Sequence, residues 1–243
     1  MITKFKNLFR DDQQFRLFII LCLSTLFNVA LLGMRMHHLG FDYKDIDSVQ
    51  DIQALRGATG FLFLIWNLFL AWIPYWISIT IGPVYKHYGS KIIVACLLMT
   101  WLLFFPNAPY ILTDLLHLRS RAPIPVWFDM MLIASFAWTG LILGLLSLYE
   151  VQIFLRKQLG NFVAWSVSIV SIFLGGFGIY VGRFLRWNSW DIITHPISLF
   201  SQLWDVVSHP GVYGNTVGIS VVLGTFLLLA YLKMVFLMGY GRE

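Results

Sequence analysis

The residues best suited to chemistry in this sequence are Asp114 and His117, in the stretch TDLLHLRSR. A spacing of three places both side chains on one face of a helix. Such a pair fits a carboxylate that orients an imidazole base, two ligands of a metal ion, or an ion pair at a helix end. Asp114 and His117 are the candidate catalytic residues. No HExxH or HxxxH spacing is present, and the sequence predicts no metal site and no cofactor.

A second group of polar residues lies in the stretch GRFLRWNSWD. Arg183 and Arg186 share one face if a helix continues through both, and guanidinium groups bind phosphate or carboxylate through paired hydrogen bonds. Asn188 and Asp191 follow directly. The stretch predicts an anion clamp for a phospholipid, a polyprenyl phosphate or another amphipathic phosphate. The alternative is a helix end anchored by arginine and tryptophan at the membrane surface.

Asn107 and Tyr110 stand in FPNAPY, where a long apolar run should simply end. Pro106 and Pro109 each remove a backbone donor and disfavour helix just before them. Carbonyls freed at membrane depth need partners from protein or from water in a cavity. The segment is either a broken helix that lines a binding site, or a kinked helix whose carbonyls accept from the Asn107 side chain.

The composition of the chain indicates which class of protein must hold these residues in place. Hydrophobic residues make up 58% of the chain and charged residues 12%, which is far from the composition of soluble domains. The net charge of +5 comes from basic residues at the ends of apolar runs, as orientation in a membrane requires, so we expect no nucleic-acid partner. Cys22 and Cys96 form no CxxC pair and are interpreted as small core residues.

Six apolar runs are long enough to cross a bilayer, at about 15–34, 60–81, 92–112, 126–149, 162–182 and 216–238. The sequence therefore predicts an all-α polytopic membrane protein, a bundle of about six transmembrane helices in a single integral domain over residues 1–243. Lys and Arg in the flanks number ten on one side and seven on the other. This bias predicts that both termini are cytoplasmic.

That orientation makes the two long connections, 35–59 and 183–215, extracytoplasmic. The first contains DSVQDIQALR, a candidate short helix capped by Asp47 or Ser48. In the second, apolar residues recur at helical spacing after Pro196, which predicts a helix that lies in the membrane interface or re-enters the outer leaflet. Those residues are Ile197, Phe200, Leu203 or Trp204, and Val207.

Polar residues of five spans lie toward the same side in this topology. They are Asn28, Asn67, Asn107, Asp114, Asp129 and Arg183. Polar side chains within spans usually face the bundle interior, so we expect them to converge on an outward-facing cavity. The alternatives are interhelical hydrogen bonds for the asparagines and a favourable helix dipole for Asp129. The candidate substrate-binding residues are Asn67, Asn107, Tyr110, Asp129, Arg183, Arg186, Asn188 and Asp191.

At FPNAPYILTDLLHL, PVWFD and GRFLRWNSWDI, the chain resembles an uncharacterised family of bacterial multi-pass membrane proteins, domain of unknown function family 1361. The resemblance runs from about residue 60 to the C-terminus. It implies a protein of the bacterial cytoplasmic membrane and no particular activity, so it carries over no catalytic residue.

Two hypotheses follow for function. In the first, the protein binds or processes an amphipathic, phosphate-bearing, lipid-like substrate in the outward-facing cavity. In the second, it is a non-enzymatic substrate-binding or accessory subunit of a transporter or another membrane complex, and works with a membrane protein partner. Both place the chain in the lipid bilayer, and neither decides whether it is an enzyme.

Overall fold

The computed structural model describes residues 8–38, 59–119, 124–209 and 214–240. Its long elements are helices, as the sequence predicts. The helices are α1 (Asp12–His38), α2 (Phe63–Tyr88), α3 (Lys91–Phe104), α4 (Asn107–Tyr110), α5 (Val126–Leu159), α6 (Asn161–Phe184), α7 (Asp191–Thr194), α8 (Pro196–Ser208) and α9 (Gly214–Tyr240). Two 3₁₀ helices cover Thr59–Phe61 and Ile111–His117. The predicted helix capped by Asp47 or Ser48 lies outside the described residues.

Within the described residues, six segments are long and apolar enough to cross a membrane, which confirms the predicted bundle of about six spans and a multi-pass membrane protein. The third of them, Lys91–His117, joins α3, α4 and the second 3₁₀ helix. Successive spans alternate in direction, so the bundle has two ends. We call them the Asp114 end and the Glu150 end, after a residue that lies at each.

Helix α5 is the centre of the bundle. About 72% of its most apolar stretch is buried inside the protein, against 17% for α1 and for α9. It therefore contacts other helices over most of this stretch, whereas α1 and α9 expose many large apolar side chains to the surroundings, as lipid-facing helices do. The buried polar residues of α5, among them Thr139, Ser147 and Gln152, consequently face other helices rather than lipid.

The third span is broken at the two prolines. Helix α3 ends at Phe104, and α4 restarts at Asn107. Carbonyls beside the break accept hydrogen bonds from side chains: Phe104 from Asn107 Nδ2 at 3.0 Å, and Leu103 from Ser189 Oγ at 3.1 Å. The bond from Asn107 is the one that the kinked-helix alternative predicts. The bond from Ser189, in the segment after α6, was not predicted.

Glycines let the broken segment pack between α5 and α6. A Cβ atom on Gly140 of α5 would lie 2.6 Å from the Ala108 carbonyl oxygen, and one on Gly178 of α6 would lie 2.6 Å from Pro106 Cγ. Atoms of real side chains do not approach so closely, so only glycine fits at either position. These two contacts hold the break in the span against the core of the bundle.

Helix α6 ends at Phe184, before Arg186. The Arg186 backbone has φ of 62°, in the left-handed region that ends helices and usually takes glycine. The expectation that Arg183 and Arg186 share one helical face is therefore wrong. The chain turns at Arg186 because the Trp187 N–H donates to the Val181 carbonyl at 3.3 Å.

Helix α8 confirms the predicted helix after Pro196, which stands at its first position. Its two faces differ. Leu199 and Val206 are buried against the protein, whereas Ile197, Phe200 and Trp204 are 60–85% exposed. An exposed apolar face beside the ends of the spans is what a helix in the membrane interface requires.

Candidate functional site

Asp114 joins three spans at the Asp114 end. Its side chain is only 1% exposed. One carboxylate oxygen accepts from Asn67 Nδ2 of α2 at 2.8 Å, and the other accepts from Arg183 Nη2 of α6. The structure thus brings together three of the polar residues that the sequence predicts to converge.

Arg183 is held on several sides. Its Nε donates to Thr113 Oγ1 at 2.8 Å, and its guanidinium carbon lies 4.6 Å from the centre of the Tyr110 ring. With Asp114 as its ion-pair partner, the guanidinium has little capacity left for a ligand anion. Its charge is balanced within the protein, as a buried charge must be.

His117 contacts the edge of this cluster. Its side chain is 45% exposed, and its Nδ1 lies 3.9 Å from Asp114 Oδ1 and 3.5 Å from Arg183 Nη1. The first distance is too long for a hydrogen bond. Asp114 is therefore bound to Arg183 and Asn67 and does not orient the imidazole as a base. Among the described residues, no three His, Cys, Asp or Glu side chains group into a metal site.

A pocket of about 400 Å³ lies next to the Asp114 cluster. Four candidate substrate-binding residues line it: Asn67, Asn107, Tyr110 and Asn188. Trp187 and Ser189 add further polar groups, and the apolar lining includes Leu102, Leu103, Leu174, Phe177, Leu199 and Leu203. Asn67 connects pocket and cluster, because it lines the first and donates to Asp114 in the second.

The α8 helix closes one side of this pocket. Leu199 and Leu203 of α8 are lining residues, and Gln202 of the same helix accepts a hydrogen bond from Trp187 Nε1. The wall opposite comes from the broken segment of the third span, through Pro106, Asn107 and Tyr110. The two stretches that looked unusual in the sequence therefore face one cavity.

A family model described as "Protein of unknown function (DUF1361)" matches residues 66–230. The chain belongs to this family. The DUF1361 match contains the whole pocket lining and the Asp114 cluster. No curated protein and no solved structure matches the chain.

Four candidate substrate-binding residues within the DUF1361 match do not line the pocket: Asp129, Arg183, Arg186 and Asp191. Asp191 is part of a local turn, where its carboxylate accepts the Asn188 N–H at 2.6 Å. This hydrogen bond holds the pKa of Asp191 below its usual range. Arg186 is exposed, one residue before the pocket residue Trp187.

Asp129 belongs to a different cluster, so the expectation that it joins the cavity is wrong. It forms a buried ion pair with Arg35, with Nε–Oδ1 of 2.7 Å and Nη2–Oδ2 of 3.2 Å. Both side chains are 1% exposed, and the Arg35 guanidinium lies 4.2 Å from the Phe61 ring centre. In apolar surroundings this charge pair outweighs any effect of the α5 dipole on Asp129.

Sequence reasoning missed Arg35, which lies before the DUF1361 match and was counted only as a flanking charge. The signal that could have found it is topological. Arg35 near the end of span one and Asp129 near the start of span four lie at the same end of the bundle, with opposite charge.

Asn28 also stays outside the pocket. Its amide nitrogen donates to Thr139 Oγ1 at 2.9 Å, and its oxygen accepts from the Ser135 hydroxyl of the same helix, α5. This confirms the alternative of an interhelical hydrogen bond. Of the six polar residues, Asn67, Asp114 and Arg183 thus form one cluster, Asn107 lines the pocket beside it, and Asn28 and Asp129 have partners of their own elsewhere.

Proposed function

We propose that the protein binds an amphipathic, lipid-like molecule with a phosphate-bearing head group in the pocket at the Asp114 end. The observation that carries this proposal is the two-part lining. Leucines and phenylalanine form one part, and amide, hydroxyl and indole groups form the other. Ligand pockets of this kind combine an apolar wall with a few placed polar groups that fix orientation.

Within this proposal, the apolar portion of the ligand contacts Leu102, Leu174 and Phe177. Its head group meets Asn67, Asn107 and the Tyr110 hydroxyl. The charge for the phosphate comes from Arg186, whose side chain is exposed beside the pocket. Arg183 contributes indirectly, since its guanidinium packs on the Tyr110 ring and orients it.

The proposed role is binding rather than proton transfer. A general base needs a free carboxylate or imidazole within hydrogen-bond reach of its proton. The two oxygens of Asp114 accept hydrogen bonds from Arg183 and Asn67, and His117 Nδ1 lies 3.9 Å from Asp114, too far for the carboxylate to orient the imidazole. We therefore assign Asp114 to positioning Arg183 and Asn67.

We also propose that the Asp114 end faces out of the cytoplasm, in a bacterial cytoplasmic membrane. The support is the excess of Lys and Arg at the opposite flanks, ten against seven. In that orientation the ligand comes from the outer leaflet or from the space beyond it. A cysteine-labelling experiment with an impermeant maleimide on intact cells tests the orientation, with single cysteines at Arg119 and Lys157.

Native mass spectrometry of the protein extracted in mild detergent tests the binding proposal. The first variant is Leu203→Trp, which fills the pocket from α8. Its matched control is Phe200→Trp, on the exposed face of the same helix. The second variant is Arg186→Gln, and its control is Arg119→Gln, another exposed arginine at the same end.

We expect wild type and both controls to retain a lipid-sized ligand that contains phosphate. Leu203→Trp should lose it, and Arg186→Gln should retain less of it. Equal retention by Leu203→Trp and Phe200→Trp would overturn the proposal, as would wild-type protein free of any ligand. A stoichiometric protein partner without a ligand would favour the accessory-subunit hypothesis instead.

A further inference from the structure

A second cavity lies at the Glu150 end, on the opposite side of the membrane from the Asp114 cluster. Its volume is about 950 Å³. Its walls are the segment leading into α1, the last turns of α2 and the last turns of α5. The proposed function leaves this cavity without a role, and the cavity shares no lining residue with the pocket at the Asp114 end.

Hydrogen bonds build one wall of the cavity from the start of α1. Asp11 Oδ1 accepts the Gln14 N–H at 2.8 Å, and Gln14 Oε1 accepts the Arg10 N–H at 2.5 Å. Asp11 thus caps the helix through its side chain, and Gln14 reaches back to the residue before the cap, so the two bonds together fix the entry to α1. Arg10 then reaches Glu150 of α5, with Nη1–Oε distances of 3.0 and 3.2 Å. The start of the described chain is thereby tied to the central helix.

The charge lining this cavity is unbalanced. Three cationic side chains line it, Arg10, Lys86 and Lys157, against one carboxylate, Glu150. Glu150 is already the partner of Arg10, which also pairs with Asp11 just outside the lining, with Nε–Oδ2 of 3.0 Å. Within the described part of the chain, no carboxylate lies within ion-pair distance of Lys86 or Lys157. Two ammonium groups on different helices thus border the same cavity, and neither forms an ion pair with a described residue; Glu150 attracts Lys157 only at longer range.

The remaining lining is apolar and aromatic. Leu8, Phe9, Ile79, Ile153 and Phe154 contribute to it. Basic pockets between membrane helices with such walls bind the phosphate of anionic lipid head groups. The cavity is also far larger than one inorganic phosphate needs, which favours a phosphate carried on a larger apolar molecule.

We propose that the cavity at the Glu150 end is a binding site for a phosphate group, held between Lys86 and Lys157. Arg10, fixed by Glu150, forms the third side and keeps the site open between α1 and α5. The phosphate belongs either to an anionic phospholipid or to a free phosphate. Both sources share the same recognition chemistry.

The test uses the full-length protein in mixed micelles and follows thermal unfolding by tryptophan fluorescence. Three probes are titrated separately: phosphatidylglycerol, phosphatidylcholine and inorganic phosphate. The test variant is Lys86→Gln with Lys157→Gln. The matched control is Lys91→Gln with Lys233→Gln, which removes two exposed charges at the same end from residues that do not line the cavity.

We expect phosphatidylglycerol to raise the unfolding temperature of wild type and control, and phosphatidylcholine to have no such effect. The test variant should bind phosphatidylglycerol more weakly by about fivefold for each lysine lost. If inorganic phosphate raises the unfolding temperature of wild type as much as phosphatidylglycerol does, and the test variant loses this rise, the site is supported and its ligand is a soluble phosphate. The proposal is overturned if test and control variants respond alike, or if neither phosphate probe stabilises wild type.

Discussion

Asp114 and Arg183 form an ion pair between the third span and α6, although 69 residues separate them in the sequence. Each charge neutralises the other where little water is present. The surface that the pair presents beside the pocket is therefore polar but has no net charge. This explains how a carboxylate and a guanidinium occupy the end of an apolar bundle without serving as free charges.

Removing one partner of this pair should cost more than removing both. Arg183→Met leaves the Asp114 carboxylate buried and unpaired, and we expect a loss of about 3–5 kcal/mol in unfolding free energy. The double variant Asp114→Leu/Arg183→Met should recover part of that loss. Denaturant unfolding in detergent measures the three stabilities. A double variant that loses as much stability as Arg183→Met alone, or more, would contradict the pairing.

The Arg35–Asp129 pair should distinguish arginine from lysine. Arg35 reaches both carboxylate oxygens of Asp129, a geometry that a lysine cannot reproduce. We expect Arg35→Lys to lose about 1–2 kcal/mol and Arg35→Met about 3–5 kcal/mol, measured by the same unfolding method. Arg16→Met, at an exposed position of α1, is the control and should change little. Similar losses in all three variants would argue against a specific pair.

Replacement of Gly140 by alanine should destabilise the protein. Gly140→Ala brings the new Cβ to 2.6 Å from the Ala108 oxygen, so the broken segment must shift, at a cost of about 1–3 kcal/mol. Gly33→Ala on α1 is the matched control, because nothing lies within 4 Å of its added Cβ. Thermal unfolding should show a lower midpoint only for Gly140→Ala. Equal midpoints would mean that α5 and α4 are not packed as described.

Ser189 should stabilise the break in the third span. Its hydroxyl donates to the Leu103 carbonyl at 3.1 Å and accepts from Asn107 Nδ2 at 2.9 Å. Ser189→Ala should cost about 1 kcal/mol and speed hydrogen exchange in α4. Ser166→Ala removes a hydroxyl that also donates to a carbonyl, but one within its own exposed helix. Exchange in α4 unchanged by Ser189→Ala would count against this role.

Much of the fold follows from the sequence because hydrophobic length is a local property. Six apolar runs predict six spans, and the two prolines predict the break, since each removes a backbone donor whatever its surroundings. The helix after Pro196 was also predictable from its spacing. These features depend on residues a few positions apart.

The candidate site was predictable only in part, because partner choice depends on distant residues. Asn67, Asp114 and Arg183 could be placed at one end of the bundle by topology, and they do meet. The ion pair between Asp129 and Arg35 depends on how α1 and α5 are rotated about their own axes, and hydropathy does not determine this rotation. The end of α6 at Phe184 could not be predicted, because the residue that takes the left-handed conformation after the helix is Arg186 and not the usual glycine.

The broken third span also has a consequence for the order of assembly during synthesis. Helix α3 has 14 residues, about 21 Å of helix, which is short for a hydrocarbon layer of about 30 Å. Its continuation carries Asp114, whose partner Arg183 emerges 69 residues later, several seconds at roughly 5–20 residues per second. Asp129, by contrast, meets an Arg35 that was made 94 residues before it. During synthesis, Asp129 can therefore pair with Arg35 as soon as it is made. Asp114 has no arginine partner until α6, which carries Arg183, has been synthesised.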